Sequence, residues 1–204
     1  MLAPSRTRYV SLLPDLDKTP TSYKADAADT VSGFLKGLVE KVKTYLDETW
    51  DVETLSNNPE PTSASNETSV VQHAVLDGKA ILLTADVGPD GLNEAADYAE
   101  ALGILKPPRF IQVPHHGSRR NVKPAILDRW LGGKMEKGEK YGTAFCSVGK
   151  DKPEDPRGQV KNAFRRRGYP VHATRDISKS HYSGDGHPGW TTSVPEPFDD
   201  KVEV

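Results

Sequence analysis

With 204 residues, the chain is long enough for one good-sized domain with its own core. Apolar residues make up 35% and mean hydropathy is -0.62, so part of the chain is expected outside that core, as linkers or tails. A net charge of -2 and a pI near 6.3 exclude a global pull toward nucleic acid or anionic membrane; such a partner would need a local patch.

Up to about Tyr23 the chain is proline-spaced and without period, and an extended course is expected. The opening run MLAPSRTRYVSLLPDL holds no apolar stretch long enough for a signal peptide, and no run in the sequence approaches transmembrane length. A soluble, cytoplasmic protein is expected. From Asp26 to Trp50, residues Val31, Phe34, Leu35, Leu38, Val39, Val42, Tyr45 and Leu46 recur at helical spacing. This predicts one amphipathic helix, capped by Asp26 or Asp29. Its polar face carries both signs of charge, which favours packing on the domain over membrane binding. LSNNPEPTSASNETS reads as a polar loop.

SVVQHAVL and KAILLTAD then read as strands joined by a hairpin turn at Asp77-Gly78. Helix and strand alternate from there: a helix in GLNEAADYAEALGIL, a strand in RFIQVP, a helix in KPAILDRWLG and a strand in YGTAFCSVG. GQVKNAFRRRG is a helix closed by Gly168, and PVHATRD is the last strand. From Ser178 the chain is polar and is expected to wrap or trail. The expected fold class is α/β, a mixed sheet with flanking helices. Three parts follow: an N-terminal segment over 1–64, a domain over 65–177 and a tail over 178–204.

In α/β proteins function gathers where strands end and loops begin. Those ends carry Asp86, the pair His115-His116, Lys150-Asp151 and Arg175-Asp176. An aspartate ending a buried strand is costly unless paired, so Asp86 is either a ligand or the cap of the next helix. Neutral imidazole is the commonest donor to zinc-like ions, and Pro-His-His-Gly also suits an ordinary turn. Gly117 lets backbone approach closely, Ser118 and the amides after it can hold phosphate, and Arg119 and Arg120 can grip phosphate oxygens. The single cysteine, Cys146, excludes an intrachain disulfide and a zinc ribbon and reads as a core thiol. His73 and His172 read as structural, while His181 and His187 would add ligands only if the tail folded back. FRRRG reads as a solvated helix face; with Arg119 and Arg120 it would form a basic strip able to touch a phosphate backbone.

SNETSVV, KAILLTAD, VPHHGS, SVGKDKPEDP and RRRGYPVHATRD, in this order, resemble the C-terminal half of a metallo-β-lactamase-fold hydrolase. The nearest group is the ComEC-like one, named for the hydrolase domain of a DNA-uptake protein. The resemblance covers about Ser65 to Asp176, with His-His-Gly-Ser after a strand as its most specific part. It implies that 65–177 is half of a four-layer αββα sandwich with two divalent ions, zinc or manganese, at its edge. Asp86 would bridge the metals and His116 would close the second site. His115 would face substrate or orient a ligand, Asn66 and Ser69 would lie near the site, and Ser118, Arg119 and Arg120 would contact substrate. The implied reaction is metal-assisted hydrolysis of a phosphodiester in nucleic acid or a nucleotide. A lactam, thioester or lactone substrate is the alternative within the family.

The departures are equally specific. The family's first-half signature, H-x-[HD]-x-D-H, is missing, and no histidine precedes Ser65. Ala85 replaces the usual glycine before Asp86, and Asp155 precedes Pro156 where a histidine is common. Asp86 and one histidine are too few ligands for zinc. Two readings stand: a hydrolase half completed by a missing N-terminal half or a second copy of the chain, or a truncated or degenerate non-catalytic domain that binds a partner chain.

Overall fold

A computed structural model describes residues 1–16, 44–182 and 184–203. Its centre is a five-stranded sheet of β2 (Gln72–Leu76), β3 (Lys79–Leu83), β4 (Phe110–Gln112), β5 (Thr143–Cys146) and β6 (Val171–Ala173), in that spatial order. β2 and β3 form an antiparallel hairpin. Its turn residues Asp77 and Gly78 both have positive φ, 49° and 72°, as a two-residue hairpin requires. β3, β4, β5 and β6 then run parallel. The α/β class with a mixed sheet is therefore as the sequence predicts.

Each parallel step crosses through a helix: α3 (Pro89–Ala101), α4 (Pro124–Leu131) and α5 (Gly158–Arg166). Every step moves to the next strand in the same direction, so right-handed crossovers put all three helices on one face. On that face Leu82, Ile111, Ala144, Cys146, Val171 and Ala173 meet Leu92, Ala95, Ile126, Trp130, Val160 and Phe164, all buried. The indole N–H of Trp130, fully enclosed, donates to Leu92 O at 3.1 Å. Burial in this apolar layer pushes the Cys146 thiol up to about 12, consistent with a core role.

The opposite face carries Ile81, Leu83, Phe110, Phe145 and His172, with Leu83 39% exposed. The tail covers part of it: the His181 ring lies 4.9 Å from Phe110, and His172 Nδ1 is 3.0 Å from Ser193 Oγ. The tail then returns and ends in β7 (Lys201–Glu203), which pairs antiparallel with β1 (Tyr45–Asp47).

Several expectations are corrected. The N-terminal stretch is not extended: α1 (Arg6–Leu12) forms there, capped by Ser5 Oγ accepting from Arg8 N at 3.1 Å. Arg8 anchors it on Glu67 at 2.8 Å. The helix expected over 26–50 falls for the most part outside the described residues, including both proposed caps. Its described end is a strand, since pairing with β7 takes Tyr45–Asp47 into β1. The loop around Ser65 contains a one-turn helix, α2 (Ala64–Glu67), capped by Ser63, so the boundary drawn at 64/65 cuts an element. FRRRG is no solvated face. Arg166 and Arg167 are buried against 48–54, Arg166 on Glu48 at 2.5 Å and Arg167 on Glu53 at 2.9 Å. The expected basic strip is therefore not formed. Among the described residues no helix is long and apolar enough to cross a membrane.

Candidate functional site

The C-terminal ends of the parallel strands converge on one edge. Among the described residues the non-glycine positive-φ positions are Asp77 in the hairpin, then Ala85 (48°), His115 (43°), His116 (56°), Arg175 (45°) and Asp176 (61°). All but the first follow β3, β4 or β6 at this edge. A left-handed non-glycine residue costs on the order of 1–3 kcal/mol and persists only where its surroundings force it.

The forcing contacts are visible. Gln112, a polar residue inside β4, turns its amide oxygen to accept from Thr84 N at 3.2 Å and Ala85 N at 3.1 Å. His115 N donates to Ala85 O at 3.1 Å, locking the β4 exit onto the β3 exit. Gly117 N donates to Pro114 O at 2.9 Å, closing a tight turn over His115–Gly117. At Gly117, φ is 81° and a side chain would meet Pro156 Cα at 2.7 Å, so only glycine fits between this turn and the 155–157 loop.

Asp86 is half-buried and does not cap α3. The amides there are served by Glu67, whose carboxylate accepts from Gly91 N at 2.8 Å. Burial raises the Glu67 pKa, against the opposing pull of Gly91 N–H and Arg8. His115 Nδ1 lies 2.9 Å from Asn66 Nδ2 and 3.2 Å from Asn121 Oδ1. Asn121 is fully enclosed and donates to Asp86 O at 2.8 Å and Val87 O at 3.1 Å. His116 is exposed; its Nδ1 is 2.6 Å from Ser147 O, and its ring centre is 5.6 Å from that of His115. Burial raises the Asp155 pKa, against the opposing pull of the Arg157 guanidinium.

The edge thus gathers Asp86, the pair His115-His116 and Asn66 from three separate segments. Ser69 stays beside Asn66, its amide donating to Asn66 O at 2.9 Å. Ser118 Oγ accepts from Arg120 N at 3.3 Å, a local turn. Arg120 pairs with Glu60 at 2.7 Å, and Arg119 donates to Glu203 O at 3.3 Å, so both guanidinium groups have protein partners here. His181 lies on the sheet face and His187 stacks on Trp190 at 4.7 Å, so neither tail histidine joins the pair. His73, in a strand, keeps a buried Nε2 that has no partner among the described residues, and burial lowers its pKa. A cleft of about 570 Å³ is lined in part by Arg8, Asn57, Thr62, Glu67 and Lys123, and Thr62 Oγ1 reaches Asn66 at 2.7 Å.

The donor types at this edge, carboxylate and neutral imidazole, suit zinc or manganese. Such ions take three or more protein ligands, and among the described residues no group of three His, Cys, Asp or Glu side chains gathers to hold one. The described residues alone do not fit a complete metal site. Asn121 and Gln112 were missed in the sequence. The only signal was an amide inside the apolar strand FIQV for one, and an amide just past His-His-Gly-Ser for the other. Compared with known proteins, the chain matches no family model, no curated protein and no solved structure.

Proposed function

We propose that this chain carries the second half of a metal-dependent hydrolase site of the metallo-β-lactamase type, with its sheet and one helix layer as half of the αββα sandwich. Asp86 and His116 are the ligands it contributes, with His115 beside them. The substrate class is a phosphodiester, in nucleic acid or a nucleotide. The remaining ligands come from the missing N-terminal half or from a second copy, and the chain alone is inactive. The observation that carries this reading is the backbone lock at the β3 and β4 exits. It holds Ala85, His115 and His116 left-handed and brings Asp86 and the histidine pair to one edge.

Equilibrium dialysis of the 204-residue chain against Zn²⁺ and Mn²⁺ tests it. Weak saturable binding is expected, reduced at least about tenfold by Asp86→Ala and by His116→Ala. Binding that neither substitution weakens overturns the ligand assignment. Absence of saturable binding favours the second reading, a non-catalytic domain that binds a partner chain. That reading rests on the same shortage of ligand side chains among the described residues.

A further inference from the structure

We propose that Gln112 is a positioning residue: its side-chain oxygen sets the left-handed turn at Ala85 and thereby fixes where Asp86 leaves the sheet. The paired register of β3 with β4 ends at Leu82 opposite Ile111. One step further the chains part, and the Gln112 side chain bridges them instead. Its Oε1 accepts from Thr84 N at 3.2 Å and from Ala85 N at 3.1 Å, while Thr84 Oγ1 donates to Gln112 O at 2.9 Å. Thr84 is fully enclosed, so without that oxygen its amide would be left buried and unpaired.

The turn follows from where Ala85 is held. Its N–H is committed to Gln112 Oε1, and its carbonyl accepts from His115 N at 3.1 Å, just past the end of β4. Both ends of one residue are thus fixed to the same segment, and a φ of 48° is the conformation that joins them. That conformation is unfavourable for alanine and persists only under constraint, so it relaxes when a hold is lost. The His115 hold runs from backbone to backbone and is not removed by changing a side chain. The Gln112 hold is a single side-chain atom.

On the far side of the turn, Asn121 Nδ2 donates to Asp86 O at 2.8 Å and Val87 O at 3.1 Å. Two side-chain amides therefore grip the chain before and after Asp86. Both take backbone atoms, so neither occupies the Asp86 carboxylate. A group held this way is placed before any cation arrives, which is what a supporting residue contributes to a ligand. The consequence for cation binding rests on the function proposed above; the turn at Ala85 does not.

The test uses the full chain and four forms of residue 112: wild type, Gln112→Glu, Gln112→Met and Gln112→Asn. Glutamate keeps an acceptor at the same reach, methionine keeps the length without an acceptor, and asparagine keeps the amide but draws it back by one methylene. A left-handed residue brings its amide hydrogen close to its own Hα, so Ala85 should give a strong intraresidue nuclear Overhauser effect in wild type. The signal should stay strong in Gln112→Glu and weaken in Gln112→Met and Gln112→Asn; the asparagine variant serves if the methionine one does not fold. In dialysis, Zn²⁺ binding should weaken at least about tenfold in Gln112→Met and Gln112→Asn, and should not weaken in Gln112→Glu. A strong Ala85 signal in the two variants without a reaching acceptor overturns the proposal. So does a Gln112→Glu that behaves like them, or Zn²⁺ binding that is unchanged once the turn is lost. If wild type binds no Zn²⁺, the functional reading falls, and the Ala85 signal alone decides whether Gln112 sets the turn.

Discussion

Two clusters of polar side chains sit in or beside the core, and they are built in opposite ways. At the end of α5, Arg166 donates to Glu48 and to the carbonyls of Thr49, Trp50 and Val52. Arg167 donates to Glu53, Asp128 and Ala163 O. The donors of both guanidinium groups are directed at carboxylates or carbonyls. At the strand exits, by contrast, Ala85, His115 and His116 hold left-handed backbone, and His116 is exposed. A charge cluster whose bonding capacity is consumed internally is a clamp. A cluster that holds strained backbone and keeps a ring at the surface is a candidate site.

The sharpest way to break this comparison is Arg166→Ala. It leaves Glu48 enclosed without its cation, which costs about 3–5 kcal/mol and should be read as a drop in denaturation midpoint. Arg166→Met with Glu48→Leu should recover much of that loss. If Arg166→Ala cost less than about 1 kcal/mol, as expected for an unclamped surface residue, the clamp reading would fail. Gly117→Ala comes next. Its φ of 81° and the approach to Pro156 Cα at 2.7 Å make a methyl group strained and crowded. We expect a loss of about 1–3 kcal/mol, with the turn carrying His115 and His116 displaced from the 155–157 loop.

What was legible in the sequence follows the same division. The sheet and its three crossover helices were readable because β3–β6 and α3–α5 carry clean apolar patterns with glycine or proline at their ends. Asp86 and His115-His116 were readable because polar groups ending an apolar strand stand out. Three features were not. Arg166 and Arg167 look like surface charge until Glu48 and Glu53 arrive from more than a hundred residues earlier. Tyr45–Asp47 has helical spacing but is captured by the remote strand β7. Asn121 acts through hydrogen bonds of 2.8 and 3.1 Å to Asp86 O and Val87 O, 35 and 34 residues earlier, which no local pattern encodes.

A third test uses histidines outside both clusters. Burial lowers the pKa of His172, helped by Lys179 and Lys140 and opposed by Glu196; burial and then Lys79 lower that of His181. His172 lies under the tail and His181 belongs to it, both on the less covered sheet face. Below the ordinary value of 6.5 the unfolded chain takes up protons that the folded chain resists. Stability should therefore be flat above that pH, fall as pH drops through it, and level off below the folded values. Denaturation midpoints from about pH 7.5 down to about pH 5 should show this slope, and His172→Gln with His181→Gln should flatten it. An unchanged slope in the double variant would assign the acid sensitivity elsewhere.

The smallest expected effect is the one that bears most directly on the strand exits. His116→Gly removes a ring but also removes a left-handed non-glycine residue, φ 56°. Glycine adopts that conformation freely, so the backbone gains what the imidazole loses in its single bond to Ser147 O. A net change within about 1 kcal/mol, neutral or stabilising, is expected in the denaturation midpoint, together with at least about tenfold weaker Zn²⁺ binding in dialysis. A residue kept for stability would behave the other way. Glycine would then cost clearly more than 1 kcal/mol and leave cation binding where it was. Stability and binding moving in opposite directions at His116, while Arg166 moves stability alone, is the outcome that separates a site from a clamp.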